Sequence, residues 1–106
     1  MTALIQPILA DLRRRLEEVY GDRLTHLVLF GSQARGDAEP GSDIDVLVVL
    51  RGPVLPFDEI ERRGPTVAEL CLERNVVISC VFMDEERYLH RNGPLLRNIR
   101  REGVAV

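Results

Sequence analysis

Leu29-Phe30-Gly31-Ser32-Gln33-Ala34-Arg35-Gly36-Asp37, followed after a short spacer by Gly41-Ser42-Asp43-Ile44-Asp45-Val46-Leu47-Val48-Val49, is the stretch on which the reading of this chain turns. It reads as an apolar strand, a Gly-Ser turn, a small turn of helix, and a second strand with two carboxylates near its start. Side chains on a strand alternate between faces, so Asp43 and Asp45 share one face, about 6.5–7 Å apart at their backbones. Ile44 and Val46 point the other way, into a core. Two acids on one face of an apolar strand are costly to bring close unless positive charge sits between them. Mg²⁺ is the usual solution, since it takes oxygen ligands from one or two carboxylates plus substrate phosphates. Gly31 allows backbone amides to approach an anion closely, and Ser32 offers a hydroxyl and an N–H at a helix start. One stretch supplies a phosphate cradle and a metal seat.

Outward from this stretch, toward the N-terminus, Leu24 to Phe30 reads as the first strand. His26 within it reads as a core or surface histidine rather than a ligand. Before it, Leu4, Ile5, Ile8, Leu9, Leu12, Leu16 and Val19 recur at helical spacing with charges between them, and Gly21 closes that helix. Toward the C-terminus, Ala38 to Ser42 is a loop by composition and Asp43 to Leu50 is the second strand. Its continuous apolar run predicts a central position, buried on both faces. Phe57 to Arg74 is helical in pattern, with Phe57, Ile60, Val67, Leu70 and Cys71 as its apolar stripe. Gly64-Pro65 predicts a break or kink there, because proline lacks an N–H. Val76 to Phe82 is the third strand, Asp84 starts a short helix to about Leu89, and Pro94 opens a last helix that Gly103 ends. This order predicts an α/β fold, a small mixed sheet of about three to four strands flanked by helices.

The 106 residues suit one domain over 1–106, and 45% hydrophobic with 29% charged residues is ordinary for a soluble globular chain. A formal charge of −3 gives no electrostatic case for nucleic acid as the main partner. All 14 strong bases are arginine, which excludes a lysine nucleophile or a Walker-type phosphate lysine. Cys71 and Cys80 read as reduced core residues, and with His26 and His90 standing apart a zinc site is not expected. No apolar run approaches a membrane span and no leader is evident, which predicts a cytoplasmic protein.

Phe30-Gly31-Ser32 followed at this spacing by Asp43-Ile44-Asp45-Val46 resembles the signature of the DNA polymerase β-like nucleotidyltransferase superfamily. The longer form, Phe30 to Asp37 with Gly41 to Asp45, resembles its minimal nucleotidyltransferase (MNT) branch, and the ending Pro94 to Val104 is similar to tails in that group. An Asp-x-Asp or a Gly-Ser turn alone is a weak signal; both at this spacing, each at a strand end, is a strong one. The resemblance implies transfer of AMP from ATP with release of pyrophosphate, assisted by two Mg²⁺ ions. It implies that Asp43 and Asp45 are the catalytic metal ligands and that Gly31 and Ser32 hold the triphosphate. Arg35, one helical turn on, could steady phosphate charge or pair with Asp37.

The chain departs from the superfamily at one point. A third carboxylate normally comes from the strand beside the Asp-x-Asp strand, and Val76 to Phe82 holds no acid. Ser79 is its one side-chain hydroxyl, and Asp84 lies just past its end, so the third ligand is open between the Ser79 position and Asp84. Minimal domains of this group resemble antitoxins encoded beside a HEPN-domain toxin, some of which transfer AMP to that toxin. This implies a protein adenylyltransferase whose acceptor is a HEPN partner. The alternative is a catalytically impaired, nucleotide-binding antitoxin that neutralises its partner by contact. The helical surface, with Arg62, Arg63, Arg74, Arg97, Arg100 and Arg101 as a polar rim, is expected to serve association with that partner or with a second copy.

Overall fold

The computed structural model describes residues 4–106. Helix α1 (Gln6–Tyr20) leads through a single 3₁₀ turn (Gly21–Arg23) into β1 (Leu24–Phe30). A one-turn helix α2 (Ser32–Arg35) and a loop precede β2 (Ile44–Leu50). Helix α3 (Pro56–Arg74), β3 (Ile78–Asp84), α4 (Glu85–His90), α5 (Pro94–Glu102) and β4 (Val104–Ala105) complete the chain. The sheet order is β3-β2-β1-β4; β2 and β3 run parallel, and β1 is antiparallel to both β2 and β4. A mixed four-stranded sheet flanked by helices is the architecture the sequence predicts.

Alternation within the strands divides the core in two. Leu27 and Leu29 of β1, Ile44, Val46, Val48 and Leu50 of β2, and Ile78 and Phe82 of β3 face α1 and α3. Leu9, Leu12 and Leu16 of α1 are fully buried against them. Full burial of each such side chain is worth about 1.5–3 kcal/mol. On the other face, Val28, Leu47, Val49 and Met83 pack against Leu96 and Ile99 of α5, and Val81 and Tyr88 join them. Strand β2 is central and sealed on both faces from Val46 onward, as its unbroken apolar run predicts.

Four expectations are corrected. Helix α3 runs unbroken from Pro56 to Arg74 with Pro65 inside it. Pro65 is exposed, and so is Glu61, whose carbonyl loses its partner, so water can satisfy that carbonyl and the missing bond does not end the helix. Strand β3 runs from Ile78 to Asp84, two residues later at each end than expected, so Asp84 is its last residue rather than lying past it; Asn75 ends α3 in a left-handed conformation and the chain needs Val76-Val77 to reach the sheet. Strand β4 was not foreseen; two residues carry no periodicity. Finally, Leu4, Val19, Phe57 and Ile60 are exposed although they sit in the apolar stripes, while Tyr20 and Glu59 are buried in their place. Tyr20 donates its hydroxyl to Glu59 Oε2 at 2.6 Å, and the Arg63 guanidinium lies 5.2 Å from the Tyr20 ring centre. A polar link between α1 and α3 therefore replaces the expected apolar contact.

Candidate active site

The site forms where β1 ends and β2 begins, because the antiparallel register puts Phe30 opposite Asp45. Gly31 follows at φ 77°, in the left-handed region, and turns the chain into α2. A Cβ added at Gly31 would lie 2.5 Å from Asp45 Oδ2. A side chain there would have to displace the carboxylate, and the left-handed φ of the turn is what requires glycine. In α2 the Gly31 carbonyl accepts from Ala34 and Arg35, and the Ser32 carbonyl accepts from Gly36 and Asp37. The N–H groups of Ser32 and Gln33 are left without an intrahelical partner, as at any helix start. They lie in the turn that follows Gly31, whose Cβ position abuts Asp45 Oδ2, where an anion could be cradled.

Asp43 immediately precedes β2 and is exposed; Asp45 is its second residue and is half-buried. Burial raises the pKa of Asp45 above the ordinary carboxylate value, the negative charge of Asp43 raises it further, and the Arg35 guanidinium opposes both. Among the described residues, the hydrogen bond made to either carboxylate is from Ser79 Oγ to Asp43 Oδ2, long at 3.5 Å. Two acids in mutual repulsion, one of them desolvated and without a donor, form an oxygen-rich site that a hard divalent cation would stabilise. The residues present fit such an ion. Among the described residues no group of three or more His, Cys, Asp or Glu side chains is gathered to hold a metal, so protein ligation would come from this pair alone.

The remaining candidates separate cleanly. Ser79 lies in register with Asp45 on the neighbouring strand, on the face of the sheet that carries the acids. Asp84 pairs with Leu50 at the opposite end of β3, five residues on, which is roughly 16 Å at strand rise and on the other face. Its carboxylate accepts from the Arg87 N–H at 2.8 Å and caps α4. Arg35 pairs with Asp37 at 3.2 Å, as one of its two expected roles has it, and also with Glu102 at 3.1 Å. Glu102 was not singled out from the sequence; its 67-residue separation from Arg35 leaves no local signal. His26 stacks on Tyr88 with ring centres 4.9 Å apart, away from this corner.

Of the arginines expected to form an exposed rim, two are committed internally. Arg63 is stacked against Tyr20 with its Nε buried and unpartnered, and Arg100 donates to the carbonyls of Tyr88 and Arg91 and to Asn92. Arg74 pairs with Asp11 at 3.5 Å. On the α1/α3 side of the sheet, a cleft of about 1420 Å³ lies between α3 and the loop before β2, lined by Ile44, Val67, Val76 and Ile78 and reached by Ser42 and Ser79; neither Asp43 nor Asp45 lines it. No helix among the described residues is long and apolar enough to cross a membrane.

Comparison with known proteins identifies the family and the fold. Residues 9–105 match the sequence profile of the nucleotidyltransferase domain. A protein of Methanocaldococcus jannaschii named "Putative protein adenylyltransferase MJ0604" is 37% identical over 89 residues, which is 83% of this chain and 83% of that protein. A toxin–antitoxin crystal structure with AMP-PNP superposes with a TM-score of 0.61 at 20% identity, covering 90% of this chain and 69% of the other. A mutant of the toxin–antitoxin MntA-HpeT gives a TM-score of 0.59 at 17% identity, with the same coverage. At those identities the two structures speak for the fold.

Proposed function

The chain belongs to the nucleotidyltransferase domain family, and we propose that, as one domain over residues 1–106, it transfers AMP from ATP to a HEPN-domain toxin and so acts as that toxin's antitoxin. The observation that carries this reading is the Gly31–Ser32 turn set against two carboxylates that make no salt bridge among the described residues, Arg35 acting on Asp45 only at a distance. The relative named as a protein adenylyltransferase and the fold shared with toxin–antitoxin proteins support it.

Asp43 and Asp45 would hold Mg²⁺, which when bound offsets the charge of the triphosphate and favours ionisation of the acceptor hydroxyl. The chain's own residues do the rest. The free N–H groups at Ser32 and Gln33 and the Arg35 guanidinium bind phosphate oxygens, and the missing Cβ of Gly31 leaves room for them against Asp45. The acceptor, a hydroxyl of the partner, reaches the α-phosphorus from the solvent side of the site, where Asp43 is exposed. Its oxygen bonds to the α-phosphorus, the bond from that phosphorus to the leaving oxygen breaks, pyrophosphate departs, and the hydroxyl proton passes to water.

One observation favours a second reading. Ser79, uncharged, occupies the place in register with Asp45 where a third acid would assist deprotonation. On that reading the chain binds nucleotide and neutralises its partner by contact alone. Incubation with α-labelled ATP, Mg²⁺ and a HEPN-domain partner separates the two. Label on the partner with wild type but not with Asp45→Asn supports transfer. Neutralisation of the partner by both proteins without label establishes contact alone.

A further inference from the structure

We propose that Glu102, the last residue of α5, is a positioning residue for the nucleotide site: it holds Arg35 in a fixed orientation beside Asp45, so that the C-terminal segment completes the phosphate-binding corner. This rests on the nucleotide-site reading above.

The geometry has three parts. Arg35 donates Nη1 to Glu102 Oε2 at 3.1 Å and Nε to Asp37 Oδ2 at 3.2 Å. The Asp37 side chain is 63% exposed and the Glu102 side chain 22%, so Glu102 is the sheltered, better-anchored partner. An exposed pair two residues apart does little to orient an arginine, whereas a partly buried one supplied by another element restricts it. A guanidinium carries five N–H groups in a rigid fork, and these two bonds leave three of them free for phosphate oxygens.

Glu102 is itself held in place. Gly103 follows it, and a Cβ there would collide with the Ile99 carbonyl and with Val28 Cγ1, so α5 ends flush against β1. Val104 then pairs with Leu29 and Ala105 with Val28, the Val106 N–H donates to Leu27 at 2.9 Å, and Arg13 donates to the Val106 carbonyl at 2.6 Å. Strand β1 leads directly through Gly31 into the helix that bears Arg35. Both ends of the ion pair thus hang from one strand. Arg35 is carried on the helical turn that follows Gly31, whose Cβ position abuts Asp45 Oδ2, so the pair holds Arg35 at the same corner as the acid. An arginine ordered in advance loses less freedom on binding, which favours affinity.

Calorimetric titration of Mg·ATP into wild type, Glu102→Gln, Arg35→Ala and the double variant tests this, with thermal midpoints measured alongside. Glu102→Gln should bind Mg·ATP roughly threefold to tenfold more weakly at an unchanged midpoint, and the double variant should bind no more weakly than Arg35→Ala. Adenosine, which offers no phosphate, should show no difference between wild type and Glu102→Gln. Where glutamine is not tolerated, Glu102→Asp keeps the charge with one methylene less reach and should show the same loss in smaller measure. Equal Mg·ATP binding by wild type and Glu102→Gln overturns the positioning role alone, as does a Glu102→Gln loss that persists in full on the Arg35→Ala background. A wild type that does not bind Mg·ATP removes the nucleotide-site reading, and this role with it.

Discussion

Glu59, on α3, is 7% exposed, and it accepts the Tyr20 hydroxyl at 2.6 Å beside the Arg63 guanidinium stacked on the same ring. Asp45, on β2, is half-buried beside a second acid, and its nearest built-in relief is the more distant charge of Arg35. The first acid is answered from within the chain: burial and the neighbouring Glu59 push the Tyr20 hydroxyl pKa well above the usual phenol range, so Tyr20 remains a donor. The second has no hydrogen-bond donor and no salt bridge among the described residues, only the more distant Arg35 charge. A buried polar group costs free energy unless it is paired, so a fold that satisfies one acid and leaves the other wanting has placed the second for something that arrives from outside. Structural and functional carboxylates differ here in their partners more than in their depth.

The comparison breaks most visibly through activity. Asp43→Asn or Asp45→Asn should lower AMP transfer to the partner by about 10²–10³-fold, the scale on which single losses of charge stabilisation at a reacting centre register. In the same assay Ser79→Asp should raise transfer, because it supplies a carboxylate in register with Asp45. Asp84→Asn should leave the rate intact and change stability little, since asparagine caps a helix about as well as aspartate. Loss of transfer in Asp84→Asn with its fold intact would mean that the distal end of β3 reaches the reaction after all. A Ser79→Asp rate at or below wild type would mean that the site tolerates no third acid.

Stability should respond to the other half of the comparison. Glu59→Ala leaves the Tyr20 hydroxyl buried without its acceptor and should cost about 1–3 kcal/mol in denaturant unfolding. Tyr20→Phe, which strands the Glu59 carboxylate instead, should fall in the same range. Both variants should retain Mg·ATP affinity, since the link between α1 and α3 lies on the opposite face of the sheet from the acids. Weakened nucleotide binding in a folded Tyr20→Phe protein would show that the two regions are coupled.

Legibility in the sequence followed the range of the forces involved. The corner at Gly31, Asp43 and Asp45 was readable because a left-handed turn and a two-residue strand period are local, and each leaves a pattern within a few residues. The central place of β2 was readable for the same reason, through its unbroken apolar run. The orientation of Ser79 followed only once β3 had a register, and its start was misplaced by two residues because Val76 and Val77 read as strand as readily as Ile78 does. Glu59 with Tyr20, and Glu102 with Arg35, were not readable at all: they join elements 39 and 67 residues apart. A glutamate on an amphipathic helix reads as solvated until the partner helix is in place. Gly64-Pro65 misled for a related reason, since whether a proline breaks a helix depends on whether water reaches the carbonyl it leaves open.

The smallest effect is the most discriminating, since it tests the unanswered acid without any substrate. Asp45 has a folded-state pKa raised above the ordinary carboxylate value, chiefly by burial and next by Asp43. The folded chain therefore holds that proton more tightly than the unfolded chain, whose carboxyl titrates near about 3.9. Below that pH both states are protonated and Asp45 contributes no penalty. As pH rises from there through the raised folded-state value, the unfolded chain releases its proton first, stability falls, and above the folded value the penalty is complete. Asp45→Asn should accordingly match wild type in thermal midpoint near pH 3 and exceed it slightly at pH 7 without divalent ions. Adding Mg²⁺ at pH 7 should reverse the order, because only the wild type gains a bound cation that its unfolded state does not hold. An Asp45→Asn protein less stable than wild type at pH 7 without Mg²⁺ would show that Asp45 is already satisfied from within, as Glu59 is, and the distinction between the two acids would fall.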